Sequence, residues 1–434
     1  MTPDPERQRP ARAPVSGHAS MPMPTTPVLG LRPNLVQFTL LAVDNVFVGM
    51  LIGSERAVVP LLGTTSFHVT SLAVLLSFIA AFGVVKGPLN LLAGRLADRA
   101  GRRPILLIGW LFGLPAPWLL LLAPSWGWVV AANLLLGVNQ GFAWTMTVTS
   151  KIDLVGPRQR GLALGINEFS GYVGVGLASA ATGWLAAQFG LRPVPFLLAA
   201  AVSVVGLLIP LLLIRETLPF TRVEAAASRA GTGPKAPALG EVFGRVSWTD
   251  RTLRACSQAG MLNKFSDTAI WGLLPVAMAS QSWSPGVIGT VAGVYAMTWG
   301  VAQLGTGALS DHTGRKALIV AGLVLNALGL GTAAAADGLA AWVMAAVLAG
   351  LGTALVYPVL LAAVSDVAHP AWRGTALGVY RLWRDGGYAL GGVVVGIGAA
   401  LFTPRATFLG LAVLLLGSAA AVVGWMRETM TSRR

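Results

Sequence analysis

The chain has a single cysteine, Cys256, in 434 residues. That excludes a disulfide framework and any cysteine-cluster metal site. Charge is also scarce: 11% of residues are Asp, Glu, Lys or Arg, against about 25% in an ordinary soluble domain. Histidines number four and are scattered, and no serine or cysteine nucleophile constellation or phosphate-binding loop stands near them. Without a catalytic framework, neither an enzyme nor a cofactor or metal ion is expected. No apolar leader core occupies the first thirty-odd residues, so no secretory signal is expected.

The chain has hydrophobic residues in excess, at 55%, together with 53 glycines. It cannot cover itself with polar surface, and lipid is the solvent this composition demands. Twelve apolar runs follow one another, at 34–62, 69–93, 104–123, 127–150, 161–188 and 192–214, then 253–280, 285–309, 316–336, 338–365, 373–400 and 404–426. A bilayer core of about 30 Å takes roughly 20 helical residues. The runs are too long for barrel strands and do not alternate, so helices are expected. Residues 1–33 read as a proline-rich disordered tail, 215–252 as a partly amphipathic linker and 427–434 as a short tail.

The net charge is +14. In a soluble chain that balance would raise nucleic-acid binding. Here Arg95, Arg99, Arg102, Arg103, Lys151, Arg158, Arg160, Arg315, Lys316 and Arg373 all fall at one face if both termini are cytoplasmic, while Arg192 and Arg405 alone fall at the other. That asymmetry is the positive-inside pattern. It predicts a multi-pass protein of the cytoplasmic membrane with both ends inside, and no nucleic-acid partner.

Two stretches organise the rest. Gly94-Arg95-Leu96-Ala97-Asp98-Arg99-Ala100-Gly101-Arg102-Arg103 reappears as Gly307-Ala308-Leu309-Ser310-Asp311-His312-Thr313-Gly314-Arg315-Lys316, and 307 − 94 = 213. At the same offset Asp153, Pro157, Arg160 and Gly161 become Asp366, Pro370, Arg373 and Gly374. Arg215-Glu216-Thr217 returns as Arg427-Glu428-Thr429, slipped by one residue. The chain is therefore a duplicated unit, 34–214 and 253–426, of the kind that builds secondary transporters.

The repeated Gly-x-x-x-Asp-x-x-Gly-Arg-(Arg/Lys) loop and the six-plus-six layout resemble the major facilitator superfamily over about 34–426. The resemblance implies an all-α membrane protein of twelve helices in two pseudo-symmetric bundles. It also implies a latch on the cytoplasmic side: Asp98 meeting the start of the eleventh helix near Arg373-Gly374, Arg102 pairing with Asp153, and Asp311, Arg315 and Asp366 as the symmetric copy. The alternative is a solvated turn whose charges only set topology. In its fifth helix the chain has Gly171-Tyr172-Val173-Gly174-Val175-Gly176 where drug/proton antiporters usually carry a glycine-proline pair.

Ionisable residues inside the predicted helices are the candidate working parts, because each lone charge at the bilayer centre costs about 2.5–3.5 kcal/mol or more. They are Asp44, Glu55, Arg56, Lys86, Glu168, Lys264, Asp267, Arg381, Arg384 and Asp385. Asp44 and Glu55 lie eleven residues apart and share a helix face. Lys264 with Asp267, and Arg381 with Asp385, are one turn apart. Glu55-Arg56 is placed towards an outer end, where it can snorkel. Asp44 with Asn45, Asp267 with Lys264, and Glu168 are the candidate proton carriers. Arg381 and Arg384 suit an anionic substrate group or a permanent partner for Asp385. Asn139, Gln140, Trp144, Trp271 and Tyr357 are candidates for a polar-aromatic cavity lining, and the glycines of helices 5 and 11 for close, sliding contacts. The buried charges alternatively form a network that only fixes packing.

The expected function is a monomeric transporter moving a small molecule by alternating access, coupled to protons and directed outward as an antiporter. The in-class alternative is an importer or facilitator of a small organic anion using Arg381 and Arg384. The alternative from another class is a non-transporting membrane sensor or assembly factor.

Overall fold

Twelve spanning helices and no strand make up the described residues, which in this computed structural model are 27–156, 159–227, 237–369 and 372–430. The helices are α1 (Leu35–Thr65), α2 (Leu72–Ala100), α3 (Arg102–Leu122), α4 (126–155), α5 (Arg160–Phe189) and α6 (Val194–Leu212). The second set is α7 (251–280), α8 (Pro285–Thr313), α9 (Arg315–Ala334), α10 (Leu339–Val367), α11 (Arg373–Leu401) and α12 (Pro404–Trp425). Most of the expected 1–33 tail, Pro157, Arg158, Pro370, the middle of the linker, the side chain of Asp311, the surroundings of Gly307 and residues 431–434 lie outside the described residues. The described linker carries short helices at Leu218–Ala227 and Leu239–Gly244.

Local chemistry places several helix starts. Asp250 accepts hydrogen bonds from the Thr252 and Leu253 amides at 2.9 Å and so opens α7. Ser284 and Thr403 do the same for α8 and α12. Eight of the twelve helices are long and apolar enough to cross a membrane on composition. The other four, α4, α5, α7 and α11, carry Lys151, Glu168, Lys264 with Asp267, and Arg381, Arg384 and Asp385 respectively.

α4 runs five residues past its expected end at 150 and continues to Val155. Lys151, expected in an inner loop, is thereby drawn into the protein and is fully buried, its Nζ donating to Asn167 Oδ1 at 2.7 Å. Two π-helical turns interrupt helices, Gln140–Trp144 in α4 and Ala269–Leu273 in α7. Such turns re-aim side chains and concentrate at functional sites.

The halves meet along two seams, α5 against α8 and α2 against α11, while α1 packs on α5 and α7 on α11 within each half. The pattern is that of a pseudo-twofold. At the end remote from the repeated loops the seams have closed to backbone contact. A Cβ on Gly183 would lie 2.8 Å from Gly289 Cα, and one on Gly392 2.8 Å from the Ala80 nitrogen. Only residues without side-chain bulk permit that approach. At the loop end the same helices part: a Cβ on Gly161, Gly165 or Gly374 would meet nothing within 4 Å.

Candidate functional site

The space between the parted helices is a cavity of about 940 Å³ reaching from the loop end to the middle of the molecule. Its walls follow the duplication. Asn90 and Gln303, Leu164 and Leu377, Gly165 and Gly378, and Glu168 and Arg381 all line it. Each pair is separated by the 213-residue offset, for example 303 − 90 = 213 and 381 − 168 = 213. Where the pairs differ, the cavity is chemically asymmetric.

At its inner end lies a separate small space of about 20 Å³ that shares Asn90, Thr145, Tyr357 and Arg381 with it, and around this head stand Lys86, Trp144, Tyr172, Lys264, Tyr357, Arg381 and Arg384. Two of these cations are already matched. Lys264 Nζ lies 2.6 Å from Asp267 Oδ2, which also accepts from the Tyr388 hydroxyl at 2.9 Å, while the Tyr295 hydroxyl takes Oδ1. Arg384 clasps Asp385 through Nε and Nη2, both at 2.7 Å, and Asn90 completes that carboxylate from across the α2–α11 seam. Of the two arginines expected as partners for Asp385, the adjacent Arg384 takes it and Arg381, one turn away, does not. Lys86 and Arg381 have no carboxylate partner within ion-pair distance among the described residues, and Arg381 Nε is buried without a hydrogen bond. Lys86 lies 5.2 Å from the Phe82 ring centroid and 5.6 Å from that of Trp144.

Glu168 faces these cations from α5. Its Oε1 accepts from Trp144 Nε1 at 3.0 Å and from the Asn167 amide at 3.2 Å, and Oε2 has no partner. Gln303 is 4% exposed and satisfies neither of its amide atoms. Its symmetry mate Asn90 finds Asp385, but the position equivalent to Asp385 in the first half is Tyr172, which offers Gln303 no carboxylate (385 − 213 = 172). An aromatic layer closes the head: Tyr172 stacks on Trp299 at 3.6 Å across the α5–α8 seam, and Trp271 stacks on Tyr388 at 6.0 Å.

Several expected lining residues are instead in the wall. Asp44 is fully buried against α3, accepting from Trp110 Nε1 at 3.1 Å. Asn45 ties α1 to α5 through the Asn167 carbonyl at 2.6 Å and to α4 through Thr147. Asn139 and Gln140 donate to the Gly109 and Val48 carbonyls. Asp44 and Glu55 share a helix but not a partner, since Glu55 accepts from Asn133. Glu55 and Arg56 do not snorkel. They are 1% and 0% exposed, with the Arg56 guanidinium 4.6 Å from the Trp271 ring centroid. All three guanidinium nitrogens of Arg56 lack a hydrogen bond. The second half supplies bulk above this position that sequence spacing alone does not reveal.

The repeated loops are built alike. Gly101 and Gly314 turn with φ of +98° and +91°, conformations that favour glycine. Arg102 Nε meets Asp153 Oδ2 at 3.0 Å, and Arg315 Nε meets Asp366 Oδ2 at 3.2 Å. Thr217 and Thr429 donate to those same aspartates. Glu216 caps the start of α3, taking the amides of Arg102 and Arg103 at 2.9 and 3.1 Å. Glu428 takes those of Arg315 and Lys316 at the same distances. Asp98 pairs with Arg102 at 2.7 Å and stays 67% exposed, away from Arg373, whose Nε bonds the Ala368 carbonyl. The second cations do not seek acids: Arg103 caps the Pro210 and Leu211 carbonyls ending α6, and Lys316 caps Val423 near the end of α12. Arg160 stands exposed at the start of α5. Glu216 and Glu428 were visible in sequence only as the repeated Arg-Glu-Thr.

Comparison with known proteins agrees with this architecture. The family profile described as Major Facilitator Superfamily matches residues 45–263 and 256–434. The chain is 30% identical to the 3-(3-hydroxy-phenyl)propionate transporter of Escherichia coli K12, over 76% of this chain and 81% of that one. It is 24% identical to the class E tetracycline resistance protein of Escherichia coli, over 59% and 61%. A mutant of the nucleoside transporter NupG superposes with a TM-score of 0.71 at 15% identity, covering 90% of this chain and all of that one. The human organic anion transporter MFSD10 superposes with a TM-score of 0.67 at 17% identity, covering 90% and 99%.

Proposed function

The chain belongs to the major facilitator superfamily of membrane transporters, and from that premise we propose that it moves small organic anions across the cytoplasmic membrane by alternating access, coupled to protons. The observation that carries the reading is the cavity head. Lys86 and Arg381 stand there without a carboxylate partner among the described residues, while Lys264 and Arg384 are matched. With Glu168 as the remaining acid, the head holds an excess of one positive charge. A substrate anion relieves it, and a guanidinium is suited to a carboxylate. Trp144, Tyr172 and Tyr357 give the anion's apolar or aromatic body a wall. The resemblance to a hydroxyphenylpropionate transporter supports the same chemistry.

The units 34–214 and 253–426 rock about the glycine seams. The loop end, rich in arginine, faces the cytoplasm, so the conformation described is inward-open. The Arg102–Asp153 and Arg315–Asp366 pairs hold each loop, and Asp98 reaches Arg373-Gly374 when the loop end closes. One chain encloses a whole cavity, so a monomer suffices.

Purified protein in liposomes tests this with labelled 3-(3-hydroxyphenyl)propionate. Saturable movement driven by an imposed pH gradient, lost in Arg381→Gln, is expected. Movement that ignores Arg381 refutes the anion site. Outward drug transport is the second reading, supported by the resemblance to a tetracycline resistance protein. It predicts instead that a cationic dye is extruded and that removing Arg381 leaves extrusion intact.

A further inference from the structure

We propose that Glu168 is the proton site and that it couples to the substrate by competing for Arg381, so that the carrier closes with both charges neutralised by each other or by one proton and one anion. The inference rests on the anion reading above and names the residue that links it to protons.

Four observations carry it. Glu168 and Arg381 are pseudo-twofold mates of opposite sign lining one cavity. Each keeps a buried polar atom without a partner, Oε2 on Glu168 and Nε on Arg381. They form no ion pair in the open conformation, and the partners found for Glu168 are neutral: Trp144 and Asn167. Twofold mates stand at equal distances on opposite sides of the axis, so collapse of the loop end brings them together. At the cavity head the other acids are saturated, Asp267 by Lys264, Tyr295 and Tyr388, and Asp385 by Arg384 and Asn90; Asp44 and Glu55 each keep one oxygen without a partner, but they do not line the cavity.

The groups around Glu168 fit this assignment. Lys86 of α2, Lys151 of α4, Tyr172 of α5 and Tyr357 of α10 all feel its charge. Arg381 of α11 faces it across the cavity, and Gln303 lines the cavity from α8. Asp44 of α1 and Glu168 both act on Lys151. Lys151 is held by Asn167 in the wall, and Lys86 keeps its cation over aromatic rings. Arg381 alone is the symmetry-related cation that closure delivers.

The charge balance is fixed. In the empty carrier the Glu168 carboxylate neutralises the Arg381 guanidinium. In the loaded carrier a proton adds to the carboxylate and a monoanion occupies Arg381. One proton therefore accompanies each monoanion, with no net charge moved.

Spin labels at Leu162 and Thr375, at the loop ends of α5 and α11, read closure without substrate. In the full chain, raising the pH is expected to shorten the label distance as ionised Glu168 draws in Arg381. Glu168→Gln is expected to hold the long distance at every pH, and Glu168→Asp to restore the response. Should Glu168→Gln not fold, Arg381→Gln is expected to lose the same pH response. With labelled 3-(3-hydroxyphenyl)propionate in liposomes, wild-type uptake is expected to follow the pH gradient and ignore a potassium-valinomycin potential. In Glu168→Gln the ratio of gradient-driven accumulation to exchange is expected to fall at least tenfold. A pH response that survives Glu168→Gln, or gradient-driven uptake undiminished relative to exchange, overturns the assignment while leaving the anion reading standing. A Glu168-dependent closure with no anion movement supports the proton site and removes the anion reading instead.

Discussion

Replacing Glu216 with alanine removes the carboxylate from the amides of Arg102 and Arg103, which lie 2.9 and 3.1 Å from its two oxygens. The first four N–H groups of a helix have no intrahelical acceptor, so nothing else in α3 satisfies them. Loss of a side-chain acceptor at a helix start, together with its favourable interaction with the dipole, costs about 1–2 kcal/mol. That corresponds to a roughly 5–30-fold change in a local opening equilibrium. In a chain of this size the melting temperature would barely register it. Amide hydrogen exchange on peptides containing residues 102 and 103 reads it directly, and exchange there is expected to accelerate by that factor. Glu428→Ala is expected to do the same at residues 315 and 316 and to leave residues 102 and 103 alone. The two effects add in the double variant, because the sites lie in different halves. Unchanged exchange at both loops, or a loss of protection spread across both halves after one substitution, refutes the capping account.

The pH dependence has a definite sign. Burial pushes the Glu428 carboxyl up, but the backbone amides of Met430, Arg315, Lys316 and Thr429 outweigh it and hold the group below the ordinary carboxylate range. A carboxyl depressed in the folded state stabilises above its unfolded pKa and loses that contribution as pH falls through the folded one. Protection of residues 315 and 316 is therefore expected to be flat near neutrality and to collapse only in acid. Loss of protection on the alkaline side contradicts the cap.

Two further substitutions probe the core. Gly392→Val places bulk where the Ala80 backbone and side chain already stand 2.8 Å from an added Cβ, and is expected to cost about 1–3 kcal/mol through overpacking. Thermal denaturation in detergent measures it, and an unaltered melting temperature argues that the seam is looser than described. Asp267→Asn leaves Lys264 as an uncompensated buried charge and removes the ionised acceptor of two tyrosine hydroxyls. A cost of about 3–5 kcal/mol is expected, and a fully stable variant would mean the pair is solvated.

Much of this architecture was legible in the sequence because the duplication is legible. Asp98, Gly101, Arg102 and Asp153 recur at one offset, and apolar runs of bilayer length need only one solvent. The Arg102–Asp153 contact is the one that the family resemblance implies. What spacing could not supply is which helix a charge leans on. Asp44 and Asn45 point into the α1, α3, α4 and α5 wall because Trp110 and Asn167, far away in sequence, supply the partners. Arg384 takes Asp385 because a guanidinium one residue away reaches both oxygens at once, whereas helical periodicity favours Arg381 four residues away. Lys151 is buried because α4 extends a turn past its apolar run. Gln303 escaped notice as a neutral residue in a polar-poor helix, although its offset from Asn90 is the signal that finds it.

The central claim is that Arg381 receives the substrate's negative charge at the head of the cavity. Equilibrium binding of labelled 3-(3-hydroxyphenyl)propionate to purified full-length protein tests it most directly. Saturable binding that weakens at least tenfold in Arg381→Gln and is retained in Arg373→Gln, at the loop end, is what the account predicts. Equal affinity in wild type and Arg381→Gln, or no binding of the anion beside firm binding of a cationic dye, would contradict it.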